Sequence, residues 1–212
     1  MGTYGAVVLA GGAARRMGGV DKPALPVGGR PMRDRVLRAV SDATPRVLVG
    51  PADGVPEGVR VTREDPPGGG PVAAAAAGLA LLDPDTELVA LLAADLPLLS
   101  RSAIGDLLHH LAPGADRGRT STAGSERRSD GTCFVDADGR RQSLCGVWRV
   151  AALRAGLDRL AVERGGSLAG APVRALLAGL VVREVPWSGE GPPPWFDCDT
   201  DEDVRRAEEW AR

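Results

Sequence analysis

Tyr4-Gly-Ala-Val-Val-Leu-Ala10, running into Gly11-Gly-Ala-Ala-Arg-Arg16-Met-Gly-Gly-Val-Asp-Lys22, is the stretch that decides the fold. A short, continuous apolar run that breaks into glycines has the character of a strand buried on both faces, as in a parallel sheet. The loop that follows combines two properties. Its glycines let backbone N–H groups approach a ligand closely, and such concavities hold anions. Arg15, Arg16 and Lys22 add three cations within eight residues. A triphosphate suits this loop; a plain turn with solvated arginines is the other reading. No Gly-Lys-[Ser/Thr] closes it, so it is not a Walker A loop, and Gly-x-Gly-x-x-Gly is absent.

Outward from this loop, strand and helix patterns alternate. Pro31–Val40 reads as a helix, Arg46–Val49 and Val59–Thr62 as strands, and Pro71 to about Leu82 as an alanine-rich helix opened by Gly68-Gly-Gly-Pro71. Glu87–Ala94 is the most apolar strand and is placed centrally. Ser100 caps a helix over Arg101–Leu111. Thr132–Val135 and Leu144–Arg149 read as strands joined through Asp138-Gly139. Val150–Leu160 and Arg174–Leu180 read as helices, Val181–Val185 as a strand and Trp195–Asp199 as a short extended segment. Thr200-Asp-Glu-Asp203 has the form of a capping box ahead of a last helix to about Ala211. This alternation specifies an α/β fold with a mostly parallel sheet and helices on both faces. Ligands of such sheets bind at the carboxyl ends of the strands. The expectation is one domain over 1–212, with a flexible loop at 114–131.

Composition narrows the function classes. The 212 residues carry 26 basic and 28 acidic side chains, a formal charge of −2, which argues against a general nucleic-acid binder. The longest apolar span, Leu88–Leu99, is interrupted by Asp95 and is too short to cross a membrane. No leader pattern precedes Gly5–Ala10. Cys133, Cys145 and Cys198 are widely spaced, without metal-ligand or disulfide patterning, and read as reduced thiols in a cytoplasmic protein. Lys22 is the single lysine, against 25 arginines. A lysine kept in that background points to a task for a compact ammonium that a planar guanidinium does not perform.

Three further segments carry candidate chemistry. Asp95, in Ala93-Ala-Asp-Leu-Pro97, ends the most apolar strand. A carboxylate there is costly unless it faces a cation or ligand, and Mg²⁺ is commonly held by one or two carboxylates plus substrate phosphates. A loop-capping role is the alternative. Asp197 and Asp199 alternate, so in an extended segment they share a face; they complete a metal site or cap the final helix, with Asp199 favoured as metal ligand. Asp65, in Arg63-Glu-Asp-Pro66, either accepts the two N–H donors of a guanine edge or starts a turn. Gln142, Arg140 and Arg141 follow a turn that faces an acceptor substrate. His109 and His110 read as surface residues, and Trp148, Trp187 and Trp195 as core or rim. Arg117, Arg119, Arg127 and Arg128 read as a phosphate-binding lid or, more simply, a solvated insertion. No serine or cysteine has a base partner that would make it a nucleophile.

Taken together, these residues resemble the nucleotidyltransferase family whose members include molybdenum cofactor guanylyltransferase. The likeness is carried by Leu9-Ala-Gly-Gly-x-x-x-Arg16-Met-Gly-x-x-Asp21-Lys22 and Leu25-Pro-Val-Gly-Gly-Arg-Pro31. It continues through Glu64-Asp65, the Gly70-Pro71 helix start, Asp95-Leu-Pro97 and Asp199-Thr-Asp-Glu-Asp203. The resemblance implies a Rossmann-like three-layer αβα sandwich with a mixed sheet. It implies Mg²⁺-dependent transfer of GMP from GTP to molybdopterin, with release of pyrophosphate. In that reading Leu9, Ala10, Gly11, Gly12, Asp65 and Gly70 contact the nucleotide, Lys22 holds its phosphates and Asp95 ligates Mg²⁺ with Asp199. Arg16, Lys22 and Asp95 form the catalytic set. The partners are GTP and a phosphorylated pterin acceptor, with neither nucleic acid nor membrane, in a monomer or one making transient contact with molybdenum cofactor enzymes. Two departures stand out: Gly50 where relatives carry Asn, and Asp197 and Asp199 where relatives often carry Asn. Two alternatives stay open. One is a related transferase using CTP or another phosphorylated small-molecule acceptor. The other is a nucleotide-binding module without turnover.

Overall fold

The structure, a computed structural model, describes residues 3–11, 22–112 and 128–211. Its main sheet has seven strands: β1 (Gly5–Leu9), β4 (Arg46–Val49), β5 (Val59–Thr62), β6 (Leu88–Ala93), β7 (Gly131–Val135), β8 (Arg141–Arg149) and β9 (Val182–Pro186). They lie in the order β5-β4-β1-β6-β8-β7-β9. The two intervening labels belong to a small hairpin, β2 (Pro26–Val27) and β3 (Arg30–Pro31), turned by Gly28 and Gly29 at φ +57° and +72°. β1 pairs in parallel with both β4 and β6, and β4 with β5; β8 runs antiparallel to β6 and β7, and β9 runs parallel to β7. The sheet is therefore mixed, and the apolar β6 is its middle strand, as expected from its composition.

Why β1 reads as an unbroken apolar run is visible in the packing. Ala6, Val8 and Ala10 join one core with Leu48, Ala90 and Leu92. On that face lie α1 (Met32–Ala39) and α3 (Arg101–Leu111), through Val36, Leu37, Ile104 and Leu107. Val7 and Leu9 join the opposite core with Val47, Val49, Val89 and Leu91. There α2 (Pro71–Leu79), α4 (Val150–Glu163) and α5 (Val173–Leu176) contribute Val72, Leu79, Leu153, Leu157 and Leu176. Alternate residues of β1 and β6 thus serve opposite cores, so both faces of these two strands are apolar. Gly78 brings α2 down onto the sheet: a Cβ there would sit 2.3 Å from Val7 Cγ1 and 3.0 Å from Val49 Cγ2.

Several local expectations hold. The Ser100 side chain accepts a hydrogen bond from the Ala103 N–H at 3.2 Å. The last helix, α6 (Asp201–Trp210), begins with a complete capping box: Thr200 Oγ1 accepts from Asp203 N at 3.2 Å, and Thr200 N donates to the Asp203 carboxylate at 2.9 Å. Others differ. The helix expected over Arg174–Leu180 is the single turn α5, followed by turns that end with Gly179 at φ +82°. β8 begins at Arg141 rather than Leu144. Residues 195–199 form no sheet strand. Most of the loop expected at 114–131 lies outside the described residues, with Arg117, Arg119 and Arg127. No described helix is long and apolar enough to cross a membrane.

Candidate active site

The carboxyl ends of β1 and β6 lie side by side, because their parallel register continues past the sheet proper. Leu9 pairs with Ala93, Ala94 N donates to Leu9 O at 3.0 Å, and Ala10 N donates to Val49 O at 2.8 Å. Gly50, at the end of β4, makes room for this turn. At φ +155°, a Cβ on it would lie 2.9 Å from Ala10 Cβ, so a side chain at that position would have to displace the start of the glycine loop. Gly50 thereby sets how closely Ala10 approaches β4.

Beyond these strand ends opens a cavity of about 450 Å³, within the size range of small-molecule sites. Leu9, Ala10 and Gly11 line one side. Lys22 and Asp95 line the floor, with Asp197 and Asp199 beside them. Gln142, Leu144, Cys145 and Trp195 line it as well. Separate parts of the chain therefore meet at one concavity.

Lys22 is the electrostatic centre. Its Nζ lies 3.0 Å from Asp95 Oδ2 and 2.7 Å from Asp199 Oδ1, with 15% of its side chain exposed. Burial alone would lower the pKa of this ammonium. Its hydrogen bond to Asp199 and the charge of Asp95 outweigh that effect, and the net shift is upward. Lys22 is thus held as a cation, and two carboxylates 177 and 73 positions away in sequence converge on it. The Asp197 carboxyl is pushed above the ordinary carboxylate range by partial burial and then by Asp199, with Asp95 adding to the effect. The site holds more negative charge than its one described cation cancels.

The C-terminal segment reaches the site because it is anchored on both sides. Cys198, fully buried, packs with Val27, Met32 and Ala207, and its N–H donates to the Asp95 carbonyl at 3.3 Å. Asp197 and Asp199 flank this anchor, and the capped start of α6 follows immediately. Arg35 ties the far side of the Asp95 loop by donating to Pro97 O at 2.7 Å and to Val27 O at 3.2 Å.

The remaining sequence candidates fall in different places. Gly12, Arg15, Arg16 and Asp21 lie outside the described residues. Asp65 is exposed and is not among the lining residues, whereas its neighbour Glu64 is buried. Glu64 accepts from Gly68 N at 3.0 Å, and both its carboxylate oxygens lie 3.3 Å from where a Cβ of Gly11 would be. Glu64 therefore supports the glycine loop directly, a role that sequence reading missed beside the more exposed acid. Gly70, at φ +87°, caps α2, and it is the next residue, Pro71, that lines the cavity. Arg141 is turned to an ion pair with Glu184 at 2.8 Å. Trp148 is core, as expected, while Trp195 lines the cavity. His109 and His110 sit on α3, away from it. All three cysteines are free and buried.

Among the described residues no group of three or more His, Cys, Asp or Glu is placed to hold a metal. Asp95 and Asp199 are hard-oxygen donors of the type Mg²⁺ takes together with phosphates and water, and in this structure both are engaged by Lys22.

Comparison with known proteins agrees with this geometry. Residues 6–181 match the family model described as MobA-like NTP transferase domain. The molybdenum cofactor guanylyltransferase of Bradyrhizobium sp. (strain ORS 278) is 30% identical over 216 residues, 97% of this chain and 92% of its own. That of Cereibacter sphaeroides is 34% identical over 185 residues, covering 78% and 84%. Among solved structures, molybdopterin-guanine dinucleotide biosynthesis protein A from Archaeoglobus fulgidus has the same fold, with a TM-score of 0.68, 20% identity and 97% of each chain covered. So does 2-C-methyl-D-erythritol 4-phosphate cytidylyltransferase from Thermus thermophilus, with a TM-score of 0.64, 20% identity and 99% of each chain covered.

Proposed function

From the premise that the chain belongs to the family of MobA-like NTP transferase domains, we propose that it transfers GMP from GTP to the phosphate of molybdopterin, in a Mg²⁺-dependent reaction that releases pyrophosphate. The observation that carries this reading is the meeting of Lys22, Asp95 and Asp199 where the glycine loop leaves β1.

The residues divide the work by charge. Leu9, Ala10 and Gly11 form the nucleotide side, with the Glu64 carboxylate against Gly11, and Gly12 is assigned to the same contact. Lys22 supplies a fixed positive charge for the triphosphate, and Arg16 is assigned the supply of a second. The acceptor phosphate attacks the α-phosphorus in line, forming a new P–O bond as the bond to the bridging oxygen of the β-phosphate breaks. Both electrons of that bond leave with pyrophosphate. No general base is required, because the attacking phosphate is already ionised, and no histidine lines the cavity. Two anions must approach each other, so preorganised positive charge is the chief contribution of the chain. Asp95 and Asp199 would hold Mg²⁺, which would supply further charge neutralisation to the phosphates. The guanine edge is assigned to Asp65, which stands outside the cavity lining next to the buried Glu64, and a nucleotide contact to Gly70, which precedes the lining residue Pro71.

A thermal-shift comparison of GTP, CTP, ATP and UTP with Mg²⁺ tests the nucleotide assignment, since a ligand that binds only the folded form raises the melting temperature. GTP is expected to give the largest shift. A larger shift with CTP would contradict the guanine role of Asp65 and favour a cytidylyl transfer.

A further inference from the structure

Part of the cavity wall is made by Gln142, Leu144, Cys145 and Trp195. Three of these are apolar. Gln142, the only glutamine in the chain, is the polar exception. Its position follows from the strand register. Cys145 pairs with Leu92 across the antiparallel β6–β8 ladder. Gln142, three residues before Cys145, therefore projects past the same sheet end from which Asp95, three residues after Leu92, emerges. The two side chains belong to one cavity by topology.

The orientation of the Gln142 amide is chemically fixed. Its Nε2 donates to Asp136 Oδ2 at 3.1 Å and, more weakly, to the Arg140 carbonyl at 3.4 Å. Both partners are acceptors only, so only the NH₂ group can face them. Asp136 is itself held in the turn: its Oδ1 accepts from Asp138 N at 3.0 Å and from Arg140 N at 2.8 Å. With its nitrogen occupied in this way, and no described residue donating to its carbonyl oxygen, Gln142 has that oxygen left to offer as an acceptor. Trp195 lines the same cavity with an aromatic ring, backed by Phe134 at 5.4 Å, which in turn lies against Trp187 at 5.5 Å.

We propose that this wall is the recognition surface for the acceptor's ring system. The Gln142 carbonyl accepts a hydrogen bond from an N–H or NH₂ edge of a planar heterocycle of the pterin type, and Trp195 packs against its flat face. Asp136 is a positioning residue that dictates which end of the Gln142 amide the ligand meets. The inference rests on the reading of the acceptor as a phosphorylated pterin, and it assigns the residue that selects that class. An acceptor without such a donor edge leaves the carbonyl desolvated and unpaired, the kind of mismatch that polar pockets reject most strongly.

The test is a binding measurement with two probes, followed by pterin fluorescence. One is a pterin with a phosphate on its 6-side chain; the other is the same molecule with its ring N–H and NH₂ donors methylated. Wild type is expected to bind the first probe about tenfold more tightly than the second, the scale of one hydrogen bond with its partner left unpaired. Gln142→Leu is expected to bind both at the weaker level. Asp136→Asn, which sets an NH₂ against the Gln142 NH₂ and turns the amide round, is expected to lose the same discrimination, and the double variant to lose no more than either alone. Equal discrimination in wild type and Gln142→Leu, or no pterin binding by wild type, overturns the proposal. Transfer of GMP measured in parallel separates this from the reaction itself. A wild type that binds the pterin through Gln142 but forms no product contradicts the proposed reaction and leaves the recognition wall standing. GMP transfer with unchanged discrimination in Gln142→Leu does the reverse.

Discussion

The ammonium of Lys22 sits between the carboxylates of Asp95 and Asp199, 3.0 Å from one and 2.7 Å from the other. Asp95 ends the central strand and Asp199 precedes the last helix, so one cation links the two ends of the chain's chemistry. Lys22→Ala and Asp95→Ala should each lower turnover by at least about a hundredfold, the scale for removing one preorganised electrostatic stabiliser. The melting temperature should move by only a few degrees, because ion pairs with partly exposed partners contribute little to stability. Steady-state rates and thermal denaturation on the same preparations check this. A near-wild-type rate in either variant contradicts the role assigned to it.

Lys22→Arg should not rescue. The side chain is 15% exposed and its ammonium is seated between two carboxylates, a position for a point charge rather than a planar fork. A rate at least about tenfold below wild type is expected; full activity would mean that any cation serves there.

Gly78→Ala probes the contact between α2 and the sheet. Its methyl would lie 2.3 Å from Val7 Cγ1, between well-packed partners. Overpacking of this kind costs about 1–3 kcal/mol. Denaturant unfolding should show a lower midpoint, and an unchanged or higher midpoint would mean that α2 can retreat at no cost.

Most of the fold could be read from β1, β4 and β6, because strands buried on both faces announce themselves as unbroken apolar runs. The caps at Ser100 and Thr200 were equally plain, since they depend on residue types at fixed local spacing. The β2–β3 hairpin was not, because two-residue strands carry no periodicity. The start of β8 was hidden for a different reason: Arg141-Gln-Ser143 is polar where the strand leaves the core for the cavity. Within the site, Lys22 and Asp95 stood out as a rare lysine and an acid ending an apolar strand. Glu64 and Trp195 did not, because what distinguishes Glu64 from Asp65, or Trp195 from Trp187, is which way the chain turns them, a property of tertiary packing.

The cap of α6 sets the start of the helix that follows Asp199. Thr200→Ala removes the side-chain acceptor from Asp203 N and should cost about 1 kcal/mol of stability, as losses of N-caps do. Chemical denaturation measures this; no change would show that the end of α6 is not coupled to global folding.

His110 gives a pH dependence of known sign. Burial, then the charges of Arg183 and His109, hold its pKa below the ordinary 6.5, Asp106 opposing them in part. The unfolded chain therefore takes up a proton at this position at higher pH than the folded one. Stability should begin to fall as pH drops through 6.5, and the loss is complete below the folded-state value. His110→Gln should unfold at a higher temperature relative to wild type at about pH 5 than at about pH 8, either side of the ordinary histidine range. A difference independent of pH would contradict the assignment.

Formation of the product itself tests the central claim most directly. Purified protein is incubated with Mg²⁺, GTP labelled in its α-phosphate and molybdopterin, and the label is followed together with pyrophosphate. The convergence of Lys22, Asp95 and Asp199 predicts that label moves onto the pterin with one pyrophosphate released per transfer, and that Asp95→Ala abolishes both. Label remaining in GTP with the wild-type protein, or transfer that continues undiminished in Asp95→Ala, would contradict it.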